Sequence, residues 1–187
     1  MRKTLTRTDW ADAALTALAD GGLAAVAVEP IATKLGATKG SFYWHFANRG
    51  ALIDAALAHW ADQHTEAVIQ ELGPITDPQR RLDALLAKTI GQTTANRAEL
   101  ALLAHADHPA VAPVVAAVTE RRVEFIAAAY RQAGCPETEA RFRAVLGYTA
   151  YIGLIQAQRA TAGALLPDAD RPAYLDFLHR TLHRDDT

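Results

Sequence analysis

The chain has 187 residues, half of them apolar and 21% charged, with a formal net charge of −2. That balance allows one ordinary domain, or a small domain joined to a larger one, and excludes a disordered polymer. The single cysteine, Cys135, excludes a disulfide framework and a thiolate zinc site and fits a reducing cytoplasm; the polar stretch after Met1-Arg2-Lys3 is no signal segment, and no window approaches the roughly 18 apolar residues that span a membrane.

Alanine is abundant and β-branched residues do not cluster in alternation, which predicts helix throughout, about nine helices in all. The first helix starts near Thr8 as N-cap, with Asp9 in the positive first turn. Trp10, Ala13, Ala14, Ala17 and Leu18 form its apolar face, and Gly21-Gly22 stops it. A short second helix runs from about Glu29 to Leu35, with Pro30 in the first turn and Ile31, Ala32 and Leu35 facing inward. Gly36 is a left-handed stop. Thr38 caps a third helix of seven or eight residues, with Phe42 and Phe46 at i and i+4 pointing into a small core. A long fourth helix runs from Asn48 to about Leu72 and ends at Gly73-Pro74. Five more follow: Pro78 to about Thr93, Arg97 to about His105, Pro109 to about Ala133, Glu137 to about Thr161, and Arg171 to about His183. The candidate domain boundary falls in the fourth helix, giving residues 1–50 and 51–187.

Charge is split along the chain. Residues 1–50 hold six Lys/Arg and four Asp/Glu, and the remainder 13 and 17. A mildly basic head on an acidic body fits a polyanion meeting the head only. Two short helices separated by Gly36-Ala37 have the form of a helix-turn-helix. At the start of the third helix the acid of a capping box is replaced by Ser41, so Lys39, Gly40 and Ser41 meet an anion without a repelling carboxylate. With Phe42 and Phe46 inside, Gly40, Ser41, Tyr43, Trp44 and His45 are left outside. Two adjacent exposed aromatic residues call for a partner that covers them. Asn48-Arg49 opens the next helix with a cap and a cation suited to phosphate.

The stretch Ile31-Ala32-x-x-Leu35-Gly36-x-x-x-Gly40-Ser41-Phe42-Tyr43-Trp44-His45-Phe46-x-Asn48-Arg49-x-Ala51-Leu52 resembles the DNA-binding region of TetR-family repressors. The resemblance covers roughly residues 6–55. It implies an all-α homodimer with a three-helix DNA-binding head and a helical ligand-binding and dimerisation body. In that family the last two long helices form a four-helix dimer interface, and a small ligand in the body lowers DNA affinity. It further implies that Thr38, Tyr43, His45 and Arg49 contact phosphate, and that Lys39, Gly40 and Ser41 read bases with Trp44 beside them. One departure stands out. The family has a threonine, often followed by a basic residue, where this chain has Ala27, Val28 and Glu29; Arg2, Lys3 and Arg7 are the candidates to compensate.

In the body, Ile53, Leu57, Trp60, His64 and Val68 share one helical face. Phe142, Val145, Leu146, Thr149, Ile152, Gly153 and Gln156 share another, whose small residues allow an isologous dimer. Buried polar groups need partners, so His64, Thr149 and Gln156 are either ligand contacts or satisfied core residues. Trp60, Tyr130, Tyr148 and Tyr151 either line the same cavity or are plain core. The stripes hold many apolar residues and few charges, which points to a lipophilic or aromatic ligand. His105-Ala106-Asp107-His108, and His179 with His183, lack a third metal ligand and read as polar turns; Arg121 and Arg122, beside Glu120 and Glu124, read as a solvated charged face.

The fold class expected is therefore all-α, and the function a ligand-responsive, DNA-binding repressor in the cytoplasm. Its partners would be a near-palindromic operator, a small inducer and a second copy of the chain, with no cofactor, metal or membrane. An enzyme is disfavoured: Ser41, the one serine, lies in the DNA helix, and Cys135 has no evident paired histidine. The other alternative is a helical ligand-binding or scaffold protein without DNA binding.

Overall fold

The computed structural model describes residues 5–91 and 97–182, and all regular structure in them is helical. Three short helices come first: α1 (Arg7–Ala25), α2 (Val28–Lys34) and α3 (Lys39–Tyr43). α1 begins two residues earlier than expected because Thr6, not Thr8, is the cap. The Thr6 hydroxyl accepts from the Asp9 N–H at 3.1 Å, and the Asp9 carboxylate accepts from the Thr6 N–H at 2.7 Å. This is a capping box with aspartate in the acidic position. The expected glycine stop is a break: the backbone leaves helical geometry at Gly21 and Gly22, then makes one more turn to Ala25. Gly36 adopts φ 62°. Its N–H donates to Thr33 O at 3.0 Å and that of Ala37 to Ala32 O at 2.8 Å, the paired bonds of a glycine-terminated helix end. α3 is capped by Thr38, whose hydroxyl accepts from the Ser41 N–H at 3.2 Å. Helical hydrogen bonding carries on as far as Phe46, which donates to Phe42 O at 3.0 Å.

Asn48 caps α4 (Arg49–Ala61), its Oδ1 accepting from the Ala51 N–H at 2.9 Å. A π-helical turn, Asp62–Glu66, then leads without interruption into α5 (Ala67–Leu72). So the long fourth helix expected from the sequence contains one wide turn. α6 (Pro78–Gly91), α7 (Arg97–Leu103), α8 (Ala112–Gln132), α9 (Glu137–Ala160) and α10 (Arg171–Leu182) complete the order. α8 starts at Ala112 instead of Pro109, because Val111 and Ala112 both donate to His108 O at 2.9 Å and turn the chain there. The expected ends at Thr93 and His183 lie outside the described residues.

The residues form two compact units, Met1–Ala67 with Arg97–Val118, and Val68–Asn96 with Thr119–Thr187. α7 thus packs with α1 and α4 in the first unit. The chain passes between units inside α5 and again inside α8. The first unit has a continuous core that includes Trp10, Leu18, Ile31, Phe42, Phe46, Leu52, Leu57 and Trp60, joined by Leu102, Val111 and Val115. The second unit has thin cores, Leu82–Ala129–Tyr130–Ala140 and Val123–Ala127–Ala144.

Candidate nucleic-acid interface

α3 is held from inside by Phe42. Its ring meets Trp10 edge-on at 5.5 Å, stacks on Phe46 at 5.6 Å and touches Tyr43 at 5.1 Å. Phe42 and Phe46 are buried as expected. With both rings inside, the adjacent side chains turn outward, Tyr43 56% and Trp44 89% exposed. Thr38, Lys39 and Gly40 are exposed; Ser41 and His45 are half-buried. A Cβ at Gly40 would lie 3.7 Å from Thr38 Oγ1, an ordinary contact, so packing within the chain does not require glycine there.

Three charged side chains organise this face, each through a partner the sequence did not show. Arg7 Nη1 donates to His45 O at 2.7 Å, and its guanidinium lies 4.4 Å from the Phe46 ring centre. The expected N-terminal phosphate clamp thus fastens the turn behind α3; Arg2 and Lys3 lie outside the described residues. Arg49 Nε donates to Val26 O at 2.6 Å and Nη2 donates to Leu23 O. Its guanidinium ties the start of α4 to the end of α1. Lys39 Nζ donates to Glu29 Oε1 at 2.8 Å, between two exposed side chains. The ammonium holds the Glu29 carboxyl below its ordinary range, and the carboxylate's hydrogen bond and charge raise Lys39 above its own.

The residues expected to bind a ligand are divided between the two units. Trp60 and His64 belong to the first unit; Tyr130, Tyr148, Thr149, Tyr151 and Gln156 belong to the second. Trp60 is buried in the core of the first unit and Tyr130 is buried against Leu82 and Ala140. Tyr148 packs on the Val123 cluster and shares a hydrogen bond with Thr119 at 3.1 Å. Thr149 and Gln156 are exposed, not buried, because their stripe faces outward in the single chain. The Thr149 hydroxyl turns back to Val145 O at 2.8 Å. The same stripe presents Phe142 at 67% and Leu146 at 58% exposure. Among the described residues the buried polar ones are others: Thr65, Arg81, Glu99 and Gln158. Gln158 serves the backbone, bonding Leu166 O at 2.7 Å and Leu166 N at 3.0 Å. Arg81 does likewise, Nε donating to Ile75 O at 2.8 Å.

The histidine turns also have structural work. His105 Nδ1 is 2.8 Å from Ala101 O, the Ala110 N–H donates to His108 Nδ1, and His179 meets Asp83 at 2.5 Å. His183 lies outside the described residues, and among those described no group of three His, Cys, Asp or Glu is placed to hold a metal. The charged face on α8 is paired both within the helix and with α9. Arg141 bonds both oxygens of Glu120, at 2.6 and 2.8 Å, and Arg131 binds Glu124. No described helix is long and apolar enough to cross a membrane.

The head thus holds a helix-turn-helix whose second helix is pinned inward by Phe42 and carries exposed aromatic residues outward. Residues 11–56 match the profile of bacterial regulatory proteins of the tetR family. No curated protein matches the sequence. Solved structures share the fold across nearly the whole chain. The SmeT–triclosan complex is 19% identical over 96% of this chain and 92% of its own, with a TM-score of 0.76. A TetR-family transcriptional regulator from Agrobacterium tumefaciens is 20% identical over 91% and 98%, with a TM-score of 0.72. The multidrug-binding protein EbrR, complexed with malachite green, is 22% identical over 95% and 96%, with a TM-score of 0.69. Residues 11–56 thus carry the sequence of that family, and the chain shares the fold of these solved structures.

Proposed function

We propose that this protein is a cytoplasmic, ligand-responsive transcriptional repressor, not an enzyme, that binds a near-palindromic operator as a homodimer. The observation that carries the DNA reading is the Tyr43–Trp44 pair, exposed on a helix whose opposite side is locked by Phe42. Residues 1–50 serve as the DNA-binding part, and 51–187 as the part that dimerises and binds ligand. Thr38, Tyr43, His45 and Arg49 face phosphates; Lys39, Gly40, Ser41 and Trp44 face base edges. Two heads then occupy successive major grooves about 34–36 Å apart or somewhat more. The exposed Phe142–Leu146 stripe on α9, with α10, supplies the dimer contact, and Thr149 and Gln156 fall within it. The ligand candidates left inside the chain are Trp60, His64, Tyr130, Tyr148 and Tyr151. Fold neighbours that hold triclosan and malachite green support a lipophilic or aromatic inducer.

Selection of binding sites from a random duplex pool, followed by salt titration, tests the DNA reading. A two-fold symmetric consensus and steep salt dependence are expected; the absence of both selects the alternative of a helical ligand-binding protein without DNA binding. By linkage, a saturating inducer lowers operator affinity, typically about 5–150-fold. If His64 and Tyr148 variants both respond like the parent, the ligand is held elsewhere.

A further inference from the structure

Four acidic residues lie in the first 50, and three of them are accounted for away from α3. Asp9 caps α1, Asp12 is 3.8 Å from His59, and Asp20 is 2.9 Å from Arg97. The fourth, Glu29, is exposed at the start of α2 and bonds the first side chain of the recognition helix, Lys39. A carboxylate beside a DNA-reading helix works against phosphate binding, so its place there calls for a reason.

We propose that Glu29 is a positioning residue for sequence discrimination: by anchoring the Lys39 ammonium at 2.8 Å, it lets Lys39 meet neutral base-edge acceptors and withholds it from phosphates. An ammonium has three donors. One is engaged by Glu29 Oε1, and two remain for a pair of acceptors such as guanine O6 and N7. Those acceptors carry no formal charge, so the carboxylate can stay bonded while Lys39 reads them. A phosphate oxygen is anionic. Lys39 can reach it only by leaving Glu29, or by bringing that carboxylate toward a second negative charge. The tether therefore weakens the sequence-independent part of binding more than the sequence-specific part. It also holds a long, flexible stem in one place before DNA arrives, which reduces the rotamer entropy lost on binding.

This inference rests on the DNA-binding reading above, and the test separates the two. The affinities of the parent, Glu29→Gln, Glu29→Ala, Lys39→Ala and the double variant Glu29→Gln/Lys39→Ala are measured on the selected operator and on a random duplex between 50 and 200 mM salt. Releasing Lys39 adds one phosphate contact per head, so the salt slope of Glu29→Gln on random duplex steepens by about 0.9 per head. Over that fourfold salt range, affinity falls roughly 3.5-fold more than in the parent for one head, and roughly 12-fold more for a dimer. The operator-to-random ratio drops, and Glu29→Ala repeats the pattern. With Lys39 already removed, the glutamine substitution moves neither slope nor ratio. If the steepening persists without Lys39, Glu29 acts by plain repulsion and the tether is overturned. A lowered melting temperature with slope and ratio unchanged also overturns it, leaving Glu29 as a support for α2. A parent that binds no duplex overturns the DNA reading, and the tether with it.

Discussion

Arg49→Ala separates two roles that one guanidinium has been given, phosphate ligand and internal brace. In a helix-like geometry the Val26 carbonyl would look four residues ahead for its donor, to Pro30, which has no N–H. Arg49 Nε supplies that donor at 2.6 Å, and Nη2 reaches Leu23 O. Leu23 O also accepts from the Val26 N–H at 3.2 Å and keeps that bond when Arg49 is truncated. The main loss is the charge-assisted bond to Val26, whose side chain is fully buried. A hydrogen bond to a charged group contributes about 1.5–3 kcal/mol, so a loss of about 2–3 kcal/mol is expected for Arg49→Ala. At about 2–4 °C per kcal/mol for a chain of this size, the melting temperature should fall by roughly 5–10 °C. Circular dichroism melts measure the brace. The salt slope on random duplex, taken well below the melt, measures the phosphate contact. Arg49→Lys should recover only part of the stability, since an ammonium lacks the planar fork that reaches two carbonyls. A melting temperature unchanged within a degree or two, with a slope flattened by about 0.9 per head, would refute the brace and leave Arg49 a phosphate ligand only.

Neighbouring aromatic residues should behave oppositely: Phe42→Ala, at a fully buried site, should cost about 3–5 kcal/mol in urea unfolding. Trp44→Ala should stay within about 0.5 kcal/mol of the parent while weakening the mobility shift on operator DNA. Replacing Phe142 and Leu146 together by Glu should yield a monomer in sedimentation and abolish cooperative occupancy of the two half-sites. Burial pushes the Tyr130 phenol up to about 12, against a nearby Arg143 that pulls it down. The folded state then binds its proton more tightly than the unfolded state, so this contribution to stability is complete below pH 10 and is lost between about pH 10 and 12. Melting temperatures across that window in the parent and in Tyr130→Phe should diverge, with the parent falling faster.

Much of the head was legible because its signals are local. Thr38 and Asn48 cap where the sequence placed caps, Gly36 ends α2, and the i, i+4 pair Phe42–Phe46 is buried. Each of these depends on neighbours within a few residues. The α4 stripe failed for a definable reason. Counting by 3.6 residues put His64 on the buried face after Ile53, Leu57 and Trp60. The π-helical turn inserts one extra residue, so Thr65, 2% exposed, takes that place. A run of Asp-Gln-His-Thr-Glu does not announce a widened turn. Nor could the partners of Arg7, Arg49 and Lys39 be read, since they lie 38, 23 and 10 residues away. A cation in a DNA-binding segment looks the same in sequence whether it meets a phosphate, a carbonyl or a carboxylate. The α9 stripe was found correctly as a stripe, but periodicity does not say what faces it. Apolar neighbours normally mark a core, which predicts Thr149 and Gln156 buried, and here those neighbours are themselves exposed.

The break in α1 carries a consequence for which sequence changes the chain can tolerate. A methyl at Gly22 would stand 2.8 Å from the His105 ring, whereas at Gly36, with a similar left-handed φ, it would meet nothing within 4 Å. Every single-base amino-acid change from a glycine codon introduces a side chain with a Cβ. Position 22 should therefore be nearly empty in a mutational library, and position 36 only thinned. Both positions carry the strain of a positive φ, and the His105 ring adds crowding at position 22. Shortening the ring, by His105→Ala, should relieve the crowding at position 22 but not the strain of its φ of 68° and ψ of −168°, a region that glycine alone adopts readily. Two segments distant in sequence are coupled through that contact: a side chain at position 22 would have to displace the end of α7 as well as bear its own backbone strain.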